Sequence, residues 1–90
     1  MIVAAVRHGV RDYDAWKTVY DTFPPTVGGA KFARVNRSVD DPNMVAVVCG
    51  FESVEAAEAF LGNPDLKAKM AEAGVVGEPR IEIYEEVEAI

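Results

Sequence analysis

The chain has a single cysteine, Cys49, and a single histidine, His8, among 90 residues. One cysteine excludes an intrachain disulfide framework and a Cys-based zinc site, and one histidine leaves little for other metal centres. Basic residues are also scarce: nine Lys and Arg stand against fifteen Asp and Glu, for a formal charge of −6. Tracking a phosphate backbone rests on clustered Lys and Arg, so this balance argues against nucleic acid as a partner. The deficit is concentrated in the second half, where residues 46–90 carry three bases and ten acids. No apolar run approaches the roughly 20 residues of a membrane span. The opening Ile2 to Val6 is too short for a signal-peptide core and runs into Arg7. With half of the residues hydrophobic, the composition suits one folded domain over 1–90. The expectation is a soluble, cytoplasmic protein of a reducing compartment, with no membrane partner.

Patterning supplies the elements. Ile2 to Gly9 is apolar and rich in β-branched residues, which predicts a strand. Asp12 is placed to cap a helix carrying Tyr13, Trp16, Val19, Tyr20 and Phe23 on one face, and Pro24-Pro25 stops it. Ala30 to Val39 predicts a second strand. Asp40-Asp41-Pro42-Asn43 is a turn, and Met44 to Phe51 a third strand, together forming a hairpin. Ser53 caps a helix with Val54, Ala57, Phe60 and Leu61 inward. Gly62 interrupts it, Asn63-Pro64 restarts it, and Leu66, Met70 and Ala73 continue the buried stripe to Gly74. Arg80 to Val87, after Gly77 and Pro79, predicts the last strand. The order β-α-β-β-α-β is the ferredoxin-like α+β arrangement, an antiparallel four-stranded sheet with helices on one face.

The third strand is apolar on both faces and the first nearly so, a pattern of strands covered on both sides. Helices can cover only one face, which leaves a contiguous apolar patch on the other. A second copy packing sheet to sheet is the simplest cover, so a homodimer is expected.

Several chemistries common to this fold fail on residue grounds. RNA recognition needs exposed aromatics with basic neighbours on the central strands, and Val45 to Cys49 offers none. Gly28-Gly29 followed by Lys31 precedes a strand rather than a helix, so it reads as a turn and not as a phosphate loop. His8 remains, at the end of the first strand. It is either a strand-end imidazole bonded to its surroundings, a general base, or a metal ligand, the last disfavoured by the lack of a second histidine. Trp16, Tyr20 and Phe23 are either core or the wall of a cavity for a flat ligand. Arg34 and Asn36 share a side of the second strand, at a rim or serving a ligand. If Val39 pairs with Met44, that side also carries Val45, Val47 and Cys49. Cys49, flanked by apolar residues, reads as a buried inert thiol. Glu82, Glu85, Glu86 and Glu88 read as a solvated strand edge.

The run His8-x-Val10-x-Asp12-Tyr13-x-x-Trp16-Lys17, with Asp40-Asp41-Pro42-Asn43 and Ala73-Gly74-Val75, resembles a branch of the dimeric α/β-barrel superfamily. That superfamily contains the antibiotic biosynthesis monooxygenases, and this branch consists of small proteins sometimes labelled cyclases. The resemblance extends over nearly the whole chain. It implies two sheets packed into a barrel across a dimer, with a pocket in each subunit between sheet and helices. It further implies a cofactor-independent enzyme, monooxygenase- or cyclase-like, acting on a small aromatic or polyketide-like substrate without metal or flavin. On that expectation His8 removes a proton, Tyr13, Trp16 and Tyr20 hold the ring, and Arg34 or Asn36 stabilises the enolate. The alternative is a non-catalytic small-molecule binding or stress-response module using the same pocket.

Overall fold

In the first strand, β1 (Ile2–Val10), side chains alternate between two environments: Ala4, Val6, His8 and Val10 are buried, while Val3, Ala5 and Gly9 are half-exposed and Arg7 is exposed. The computed structural model describes all residues, Met1–Ile90. After β1 come α1 (Tyr13–Tyr20), a short 3-10 turn over Pro25–Gly28, β2 (Phe32–Arg37), β3 (Met44–Phe51), α2 (Val54–Leu61), α3 (Pro64–Glu72) and β4 (Val75–Glu85). The strands form one antiparallel sheet in the order β2-β3-β1-β4. This is the ferredoxin-like α+β fold.

The helix starts follow local chemistry. The Asp12 carboxylate accepts from the Ala15 amide at 2.9 Å, the Ser53 hydroxyl from the Ala56 amide at 3.1 Å, and the Asn63 side chain from the Asp65 amide at 2.9 Å. Each satisfies an amide that a helix start leaves without an intrahelical partner. Gly74, at φ +83°, ends the run after α3 in the left-handed region that only glycine enters freely.

Two strands differ from the sequence expectation. β2 ends at Arg37 rather than Val39, and Val39 is fully exposed. The Ser38 hydroxyl accepts from the amides of both Asp40 and Asp41 at 3.2 Å, so the turn begins a residue early and Ser38, not Val39, bonds to Met44. β4 begins at Val75 rather than Arg80. Its pairing with β1 jumps from Arg7↔Arg80 to Gly9↔Val76, which leaves Gly77-Glu78-Pro79 bulged out opposite His8.

The core beneath the helices is divided in two. One cluster joins Ala4, Ala30, Cys49, Phe51, Ala57 and Phe60. The other joins Val10, Trp16, Val45, Val47 and Ala73. α3 bridges them, with Leu66 against the first and Ala73 in the second, yet no residue within α3 itself is buried. Leu66 and Met70 are half-buried rather than part of a continuous buried stripe.

Candidate active site

The gap between the two clusters is a cavity of about 230 Å³. Its floor is the helix-facing row of the sheet: Val47 of β3, Val6 of β1 and Ile81 of β4 lie side by side in register. Trp16, Val19 and Tyr20 of α1 form one wall, and Leu66, Met70 and Ala73 form another. His8 stands on the floor beside the β4 bulge, and Pro79 of that bulge also lines the cavity. The connection from His8 into α1 is tied down at both ends. The Arg11 amide donates to the Gly74 carbonyl at 3.0 Å, and the Tyr13 amide to the Asn43 side chain at 3.0 Å.

His8 is only 5% exposed. Its Nδ1 lies 3.3 Å from the Gly9 carbonyl, which can only accept, so Nδ1 carries the proton and Nε2 the lone pair. Nε2 has no partner in the chain, yet no side-chain nitrogen or oxygen is both fully enclosed and unpaired. His8 itself lines the cavity. Burial pushes the imidazole below its ordinary value of 6.5, outweighing the backbone hydrogen bonds that raise it. At neutral pH His8 is therefore an uncharged base facing an apolar chamber.

The aromatic residues stack outward from it. The His8 and Trp16 rings meet edge to face with centroids 5.8 Å apart, and Trp16 and Tyr20 lie 4.9 Å apart. The Tyr20 hydroxyl has no partner in the chain, and burial raises its pKa, so it remains a donor. Cys49 is 1% exposed, and burial pushes its thiol up to about 11, which leaves it protonated and unreactive at neutral pH.

Three expected ligand contacts lie elsewhere. Arg34 and Asn36 pair with Val48 and Ala46, not with the helix-facing Val47 and Cys49. The early turn shifted the register by one residue, and in a strand that moves a side chain to the other face. Arg34 stacks on the Phe32 ring at 4.3 Å, and Asn36 donates to the Ala46 carbonyl at 3.2 Å. Tyr13 lies behind Trp16, between that ring and the guanidinium of Arg37 at 4.1 Å, and does not line the cavity. Conversely, Lys67, Lys69 and Pro79 line it, and no motif in the sequence marks them as site residues. No three His, Cys, Asp or Glu side chains converge as a metal centre would require.

The buried imidazole has a consequence for stability. Unfolded, His8 takes up a proton near pH 6.5; folded, it does so only at lower pH. Its full contribution is present above about 6.5 and is lost as pH falls through the lower folded value. A His8→Phe chain is expected to lose the part of the stability slope that lies in this window. Urea titrations of both chains from pH 7.5 to 4.5 check this, and identical slopes would contradict it.

No family profile and no curated protein matches the sequence. Solved structures do match over nearly its full length. A protein from Caulobacter crescentus CB15 assigned as an antibiotic biosynthesis monooxygenase superposes with a TM-score of 0.79 at 21% identity, over 97% of this chain and 90% of that one. SnoaB, a cofactor-independent oxygenase from Streptomyces nogalater, superposes with a TM-score of 0.78 at 11% identity, over 99% and 95%. A protein of the first description from Deinococcus radiodurans gives 0.76 at 15%, over 100% and 96%. At such identities the likeness lies in the backbone: the chain carries the ferredoxin-like α+β fold of the antibiotic biosynthesis monooxygenase-like proteins.

Proposed function

We propose that the chain is a cofactor-independent enzyme, monooxygenase- or cyclase-like, that takes a proton from a small aromatic or polyketide-like substrate. The observation that carries this reading is the imidazole of His8, uncharged, without a chain partner on Nε2, and lining an apolar, aromatic-walled cavity. The fold shared with SnoaB, a cofactor-independent oxygenase, supports it. A flat ring stacks against Trp16 and Tyr20, and Nε2 accepts a proton from a phenol or an acidic C–H. The imidazolium forms while the electron pair stays on the substrate as a phenolate or enolate. In a chamber of low polarity that anion needs a donor, and Tyr20 O–H is one. The carbanion form then meets dioxygen in a monooxygenase, or an internal carbonyl in a cyclase.

A panel of hydroxynaphthalenes and poly-β-ketone mimics, followed by oxygen uptake and absorbance in the presence of chelator, tests the reading. Turnover that disappears in His8→Ala while ligand binding persists supports an enzyme. Binding without turnover in the unaltered chain makes it a small-molecule binding module.

We also propose that the chain acts as a homodimer through the sheet face opposite the helices. Val3, Ala5, Ala46 and Val48 are half-exposed there, alongside Phe32. Tyr84 extends this face across β4, where it is half-exposed. A stable pairing buries more than roughly 1,200 Å². Light scattering at micromolar concentration is expected to give twice the 9.8 kDa chain mass, and a folded monomer would exclude the dimer.

A further inference from the structure

The charge on the cavity wall is opposite to the charge on the chain. Fifteen acids outnumber nine bases in the sequence, yet the eighteen lining residues include Lys67 and Lys69 and not one Asp or Glu. Both lysines belong to α3, flanking the Leu66–Met70 stripe that faces the cavity. Lys69 sits 3.4 Å from Glu72, and Lys67 makes no ion pair. The remaining wall is dominated by hydrophobic side chains; Glu72 partly balances Lys69, which leaves Lys67 as the unpaired cation of the lining.

We propose that the ligand of this cavity is an aromatic carboxylate, a fused-ring system whose acidic group is held by Lys67 and Lys69. The proposal rests on the reading of the cavity as the working site and specifies what enters it. α3 sets the orientation. Leu66, beside Lys67, packs on the Phe60 cluster, whereas Ala73 packs on the Trp16 cluster. Seven residues at 1.5 Å each separate these ends by about 10 Å. A carboxylate anchored at Lys67 therefore directs the far edge of two or three fused rings towards Trp16 and His8. The acidic group fixes the substrate at one end, and the proton leaves from the other. Lys67 and Lys69 are positioning and specificity residues in this scheme.

Calorimetry with 1-naphthoate and its uncharged isostere 1-naphthamide tests the proposal without knowledge of the natural substrate. At low ionic strength naphthoate is expected to bind about tenfold more tightly, as two partly exposed charge contacts allow, with the advantage shrinking in salt. Lys67→Gln/Lys69→Gln is expected to bring naphthoate down to the level of naphthamide and leave naphthamide unchanged. Lys67→Arg is expected to retain most of the preference. Equal binding of the two probes, or an equal loss of both in the double variant, overturns the carboxylate assignment while leaving the cavity standing. Filling the cavity with Leu66→Trp is expected to abolish binding of both probes. If neither probe binds the unaltered chain, or if both bind Leu66→Trp unchanged, the cavity reading fails and the proposal fails with it.

Discussion

Turnover by His8→Ala is expected to fall by about 10²–10⁴, the usual contribution of a positioned general base. The folded structure should change little, because the imidazole already borders the cavity. Two further readouts separate a base from a merely structural residue. In the unaltered chain kcat/KM should hold level near neutrality and fall on acidification below pH 6.5, since burial lowers the pKa of His8. That limb should vanish in His8→Ala. Added imidazole should restore part of the rate, because the cavity that held the side chain remains. Unchanged turnover per folded molecule, coupled to a large loss of stability, would make His8 a structural residue.

The place of His8 at the cavity was legible in the sequence because it depends on short stretches of chain. A strand that runs past His8 to Val10 and a helix capped by Asp12 leave only Arg11 between them, and Trp16 and Tyr20 follow by helical spacing. The three caps were legible for the same reason. Arg34 and Asn36 were not, because their face depends on whether the strand pairs at Ser38 or Val39. Two hydrogen bonds to the Ser38 hydroxyl decide that. The first half of β4 was hidden because Gly77 and Pro79 read as a loop. In the sheet they form a bulge, one of the few places where proline fits beside a ladder. Lys67 and Lys69 look like ordinary exposed helix residues in the sequence. Their meaning comes from the gap between two clusters that α3 spans, a feature of packing across the whole chain.

That divided core has an energetic counterpart, and Phe51 measures it. Its side chain is fully buried, and its ring packs on Phe60 with centroids 5.7 Å apart. Phe51→Ala removes those contacts and opens a void in a cluster bounded by the sheet and α2, at a cost of about 3–5 kcal/mol. For a domain whose whole stability is about 5–15 kcal/mol, much of the chain should then unfold in mild denaturant. Leu66→Ala deletes a side chain of comparable kind that faces the existing cavity. It loses fewer contacts and creates little new void, so its cost should stay below about 2 kcal/mol. Urea melts at one fixed protein concentration compare the two with the mass-action contribution of association held at the same concentration. The stable part of that cluster then lies at Phe51, away from the cavity, and the side chains that border the cavity contribute less. Equal costs for the two variants would mean that α3 closes tightly on the sheet and that no such division exists.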